Sequence, residues 1–139
     1  MKSVFLRFYL KQIFIFLLIV VSTCLTLAQT STDMIPADYR ADEQKPTLVM
    51  FTASWCGPCQ FAKSVIFKDE EVSSKLRNFN ILYFDVDTPT GKKFRQSYGC
   101  DKDGVPTFLL LDKEMKVVDK QNGISDKSIE FINFLNKIL

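Results

Sequence analysis

The sequence has no histidine among its 139 residues. That absence excludes much of enzyme chemistry. Ser-His-Asp and Cys-His catalysis, histidine-ligated zinc and c-type haem attachment all need imidazole. Excess charge of one sign is also missing: 18 basic residues against 16 acidic ones give a formal net charge of +2. A nucleic-acid binder would need a concentrated basic surface, so no nucleic-acid partner is predicted. Glycine and proline number only five each, and no internal repeat is visible. Collagen-like, low-complexity and disordered classes therefore fall away. What remains is 47% hydrophobic and 13% aromatic, and its length suits one domain with its own core. Most aromatics beyond the first segment fall at core-periodic positions and call for no cofactor.

The N-terminus reads as an address. Lys2, Arg7 and Lys11 precede any acidic residue, Ile13 to Val21 is an uninterrupted apolar run, and Thr26-Leu27-Ala28 supplies small residues. A basic start, a short apolar run and a small-residue cut site predict a secretory signal peptide over 1–28. The apolar part is short for a membrane span of about 20 residues. An uncleaved membrane anchor is the competing reading, and lipid attachment at Cys24 a weaker one. Cleavage after Ala28 would remove three basic residues and no acid, turning the net charge from +2 to −1. The predicted localisation is exported, periplasmic or secreted, where disulfides persist. Cys56, Cys59 and Cys100 remain, an odd number that leaves one thiol over.

Residues 29–45 read as a polar linker, with a short helix over Ala37–Gln44. Thr47–Thr52 is a continuous apolar run, which fits a central strand covered on both faces. Trp55-Cys56-Gly57-Pro58-Cys59 is a tight turn into a helix, with Phe61/Val65 and Ala62/Ile66 at i, i+4 spacing. Pro58 is tolerable in a first turn, which has no intrahelical donor to lose. A second short helix follows over Asp69–Asn78, then a strand over Asn80–Asp87. Thr88-Pro89 caps a helix through Tyr98, stopped by Gly99. Thr107–Leu111 is a strand, Asp112–Met115 a turn, Lys116–Lys120 an edge strand, and Asn122-Gly123 a second turn. Ser125 or Asp126 caps a last helix with Ile129, Ile132, Leu135 and Ile138 on one face. This order predicts an α/β fold: a parallel pair joined by a right-handed crossover, with an antiparallel extension.

The chemistry sits in one pentapeptide. Two cysteines two residues apart at a strand-to-helix junction make a redox pair. Free N–H groups and the helix dipole at the junction favour a thiolate, whose pKa can fall from about 8.5 to around 7 or lower. Cys56 is predicted to be the exposed nucleophile and Cys59 the buried resolving thiol. Structural zinc would need a second ligand pair at similar spacing, and Cys24 and Cys100 lie far apart, so no metal is predicted. A purely structural role is a poor alternative, because so short a loop constrains the unfolded chain little.

Trp55-Cys56-Gly57-Pro58-Cys59 after an apolar strand resembles the thioredoxin active-site motif, and Val105-Pro106-Thr107 before a strand resembles that family's cis-proline loop. The resemblance runs over about residues 46–139. It implies a thioredoxin fold, with a central mixed sheet of about four or five strands flanked by helices. Val65 through Leu76, Phe79 and Asp85-Val86-Asp87 are most similar to exported thioredoxin-like proteins and to the C-terminal domain of the transmembrane thiol:disulfide interchange protein. The resemblance also implies roles. Cys56 attacks a substrate disulfide and Cys59 releases the product. Trp55 shields the site, unless it is merely packed in the core. Gly57 and Pro58 keep the turn tight, a cis Pro106 sits against the pair, and the Val105 backbone pairs with the substrate chain. No cofactor beyond the Cys56–Cys59 pair is implied.

The departures are informative. The buried aspartate six residues before the first cysteine is Met50 here, and its usual lysine partner is Tyr83. The helix after Cys59 lacks the interior proline of many thioredoxins and is predicted to run straighter than theirs. The loop Cys100–Gly104 is about two residues longer than usual and reads as a solvated turn. Cys100 reads as a core thiol, Asp85 and Asp87 as solvated strand-end carboxylates, and Lys63 as a solvated lysine on the cysteine face of its helix. Together these readings predict an exported, monomeric thiol-disulfide oxidoreductase that reduces protein disulfides. Its electron donor would be a thiol protein such as the membrane thiol:disulfide interchange protein. An oxidase or isomerase of exported proteins is the first alternative. A thioredoxin-fold binding or chaperone module is the second.

Overall fold

The structure, a computed structural model, describes residues 42–139. The signal-peptide reading of 1–28 and most of the linker lie outside the described residues. Residues 42–45 form a turn rather than the end of a helix. Lys45 N–H closes it on the Asp42 carbonyl, and the Asn80 side chain bonds Asp42 N–H and C=O.

Four strands build the sheet: β1 (Thr47–Thr52), β2 (Asn80–Asp85), β3 (Thr107–Leu111) and β4 (Val117–Asn122), in the order β2-β1-β3-β4. β1 runs parallel to β2 and antiparallel to β3, and β4 pairs antiparallel at the edge. Every residue of β1 and β3 is buried, as continuous apolar strands in a two-sided sheet should be. Alternation divides the core by face. Phe51, Phe84 and Phe94 cluster on one face, with Phe84 and Phe94 stacked at 4.0 Å. Phe67, Phe108 and Phe131 cluster on the other.

The helices are α1 (Gly57–Ser64), α2 (Glu70–Leu76), α3 (Pro89–Ser97) and α4 (Ser128–Leu135). Asp69 caps α2 by accepting from Glu71 and Val72 N–H, and Thr88 caps α3 by accepting from Gly91 N–H. Gly99 ends the turn after α3 at φ +63°. Three sequence expectations are corrected. The helical pattern after Cys59 does not carry through Val65 and Ile66: α1 stops at Ser64, and a single 3-10 turn over Ile66–Lys68 follows. The β-branched pair Val65-Ile66 sits at the break, where Val65 turns outward and Ile66 inward. The last helix starts later than its expected cap. Lys127 precedes it without a side-chain bond, while Ser125 Oγ accepts from Lys127 N–H in the turn before. Its buried face is Phe131, Ile132, Phe134 and Leu135, and Ile129 is exposed.

Candidate active site

The C-terminal ends of β1 and β2 lie side by side, with Thr52 opposite Asp85. The chain leaving β1 therefore meets the chain leaving β2. β3 begins beside the same end, since Thr107 pairs with Phe51. Three loops converge there, carrying Trp55–Cys59, Val86–Asp87 and Val105–Pro106.

Cys56 and Cys59 form a disulfide, with a Cα–Cα separation of 5.2 Å. Cys56 is itself the N-cap of α1: its Sγ accepts from Cys59 N–H at 3.1 Å. Pro58 occupies the first turn, which holds no acidic side chain to oppose a thiolate. Gly57 and Pro58 are exposed. A Cβ on Gly57 would meet nothing within 4 Å, so no close approach requires glycine there. Cys59 is 1% exposed, as expected, but Cys56 is only 3% exposed. Its expected exposure is corrected for this oxidised state, in which Sγ is bonded to Cys59 and accepts from Cys59 N–H in the first turn.

Trp55 is 68% exposed, which rules out core packing. Its Nε1 donates to Asp87 Oδ2 at 2.8 Å. Asp87 is thus a site residue that sequence reasoning placed in solvent. The available signal was topological: carboxylates just after a strand parallel to β1 must lie beside the loop that leaves β1. Asp85 Oδ1 accepts from Asp87 N–H and sets the turn.

The Val105-Pro106 peptide bond is cis. Pro106 is buried and Val105 half-buried. A cleft of about 380 Å³ brings Val105 together with Trp55, Asp87, Lys92, Arg95 and Asp101. The loop before β3 is not a simple solvated turn, because Lys120 and Asn122 both bond Asp103. The Lys120 ammonium holds the Asp103 carboxyl below the usual carboxylate range.

Met50 is fully buried, in register with Tyr83. Lys63 Nζ stands 5.4 Å over the Tyr83 ring, a cation–π contact. Burial raises the Tyr83 hydroxyl pKa. Cys100 is buried, and burial pushes its thiol up as well.

The family model for thioredoxin matches residues 32–137. This chain belongs to the thioredoxin family. It is 37% identical to thioredoxin H1 of Arabidopsis thaliana over 92 residues, which is 66% of this chain and 74% of that protein. It is 26% identical to the thiol:disulfide interchange protein DsbD of Campylobacter jejuni over 68 residues, 49% of this chain and 12% of that protein. Among solved structures it is similar to a thioredoxin from Thermus thermophilus, at 28% identity and TM-score 0.58, covering 67% of this chain and 72% of that one. The C-terminal domain of DsbD from Neisseria meningitidis shares the fold, at 20% identity and TM-score 0.58, covering 70% and 84%. This thioredoxin-family protein is a thiol-disulfide oxidoreductase, and its Cys56–Cys59 pair forms the disulfide. The family uses no cofactor beyond such a pair.

Proposed function

We propose that this protein is an exported reductase of protein disulfides that works by dithiol exchange through Cys56-Gly57-Pro58-Cys59. The observation that carries the reading is the Cys59 N–H aimed at Cys56 Sγ from the first turn of α1. In the reduced state the same N–H and the helix terminus stabilise a Cys56 thiolate.

The thiolate attacks one sulfur of a substrate disulfide. A Cys56–substrate bond forms, the substrate S–S bond breaks, and the second substrate sulfur leaves as a thiolate that takes up a proton. Cys59 then loses its proton and attacks Cys56 Sγ. This forms the Cys56–Cys59 bond and expels the first substrate sulfur. Two electrons have passed from the pair to the substrate, and a thiol donor of the thiol:disulfide interchange type returns them. Trp55 covers the approach to Cys56, Gly57 and Pro58 keep the turn tight, and the Val105-Pro106 loop presents backbone to the substrate chain. Lys2, Arg7, Lys11, the apolar run after them and Ala28 support export.

The deciding experiment equilibrates the cysteine pair against defined thiol buffers. A potential near or below about −250 mV is expected for a reductase with an upstream donor. A value above about −180 mV would instead assign an oxidase or isomerase. Function surviving replacement of both Cys56 and Cys59 by serine would assign a binding module. Export is checked by the mass of the chain recovered from outside the cytoplasm, which should lack residues 1–28.

A further inference from the structure

The loop before β3 is tied down on both sides of one unpaired residue. Val105 N–H and C=O have no hydrogen-bond partner among the described residues. Its neighbours are held. The Thr107 hydroxyl donates to the Gly104 carbonyl at 2.7 Å, and Gly123 N–H donates to the Pro106 carbonyl at 2.7 Å. The Asp103 carboxylate is gripped at both oxygens: Lys120 Nζ donates to Oδ2 at 2.8 Å and Asn122 Nδ2 to Oδ1 at 3.3 Å. Lys120 and Asn122 are two residues apart on β4, so the strand period places both on one face. At the far end of the loop, Asp103 N–H and Arg95 Nε both donate to the Cys100 carbonyl.

We propose that Asp103 is a positioning residue for disulfide exchange: clamped by Lys120 and Asn122, it holds the loop so that the free N–H and C=O of Val105 stand ready for an extended substrate chain. The inference rests on the reading that Val105 pairs with substrate backbone. A loop containing Gly104 would otherwise be ordered at the substrate's expense. The clamp removes that cost before binding. It bonds neither Cys56 nor Cys59, so it acts on substrate binding and not on the thiol chemistry.

The test compares the parent protein with Asp103→Ala, Asp103→Asn and Lys120→Met in three assays. The first is reduction of insulin with dithiothreitol as donor. The second is exchange with hydroxyethyl disulfide, which has no peptide backbone to pair. The third is the reduction potential. Asp103→Ala and Lys120→Met should each raise the insulin KM about fivefold, the upper end of what one partly exposed ion pair contributes. Asp103→Asn, which keeps one acceptor, should fall between them and the parent. Hydroxyethyl disulfide exchange and the potential should not move. An unchanged insulin KM in both Asp103→Ala and Lys120→Met would overturn the proposal, as would all three readouts shifting together. A parent that exchanges with hydroxyethyl disulfide but leaves insulin untouched would overturn the pairing reading, and the proposal with it.

Discussion

The indole of Trp55 donates its N–H to Asp87 Oδ2 across 2.8 Å, joining the residue before the reactive cysteines to the loop after β2. This bond is what orients a ring that is otherwise largely exposed. It exists because β1 and β2 are adjacent and parallel, so the loops that follow them share one end of the sheet.

Asp87→Ala is expected to release the ring. Trp55 is the single tryptophan of the chain, so its emission reports the change directly. The emission spectrum should shift, while stability falls by less than about 1 kcal/mol because the bond is exposed to water. Asp87→Asn keeps a carbonyl acceptor and should retain the parent spectrum. Superimposable spectra for Asp87→Ala and the parent would show that the bond does not hold the ring.

The two cysteines should separate by the intermediates they leave. Cys59→Ser lacks the resolving thiol and should accumulate a mixed disulfide between Cys56 and a protein substrate, seen as a mass adduct that dithiothreitol removes. Cys56→Ser should form none under the same conditions. Cys100 should not contribute adducts, since it is buried with a raised pKa. Equal trapping by both variants would reverse or dissolve the assigned order of attack.

Gly91 of α3 packs directly against the backbone at the end of β2. A Cβ there would lie 1.9 Å from the Asp85 carbonyl oxygen, which is backbone and cannot swing away. Gly91→Ala is expected to destabilise the protein by about 1–3 kcal/mol, the usual cost of forcing atoms into a packed site. Urea denaturation should show a lower midpoint with an unchanged slope. A midpoint equal to the parent's would mean that α3 shifts freely on the sheet.

Acid should weaken the fold through two carboxylates. Asp103 is held below the usual carboxylate range chiefly by its hydrogen bond from Lys120, and Asp119 by its hydrogen bond from Lys137. A native pKa below the unfolded one means that the unfolded chain binds more protons in acid. The stabilisation is complete above the unfolded value of about 4 and is lost as pH falls through the native values. Urea midpoints should therefore be flat from about pH 7 to about pH 5 as far as these groups act, and then fall. Replacing both Lys120 and Lys137 by methionine should flatten the acid limb. An unaltered limb in that double variant would assign acid sensitivity to other groups.

Much of the frame was legible because its signals are local. Thr47–Thr52 and Thr107–Leu111 are continuous apolar runs, and both are strands with those limits. The Thr88-Pro89 cap and the Gly99 stop bracket α3 as their chemistry requires. Where two local patterns competed, the fold chose. Residues 129–138 offer apolar side chains on more than one helical face, and packing under the sheet selected Phe131 and Phe134 over Ile129. Val65 and Ile66 fit a continuing helix by spacing, yet the chain breaks there to bury only Ile66.

The sequence by itself determined the reactive pair, the redox chemistry that no histidine could supply, and the alternation of strands and helices. Each is written in neighbouring residues: a spacing of two between cysteines, a period of two or 3.6, a capping side chain. Only the tertiary structure decided that Asp87 holds Trp55 and that Lys120 and Asn122 grip Asp103. It also set Met50 against Tyr83, with Lys63 over the ring. Those partners lie 17 to 33 residues apart or on different elements, and strand order and register bring them together. No local pattern encodes a hydrogen bond whose two ends meet only after the sheet has assembled.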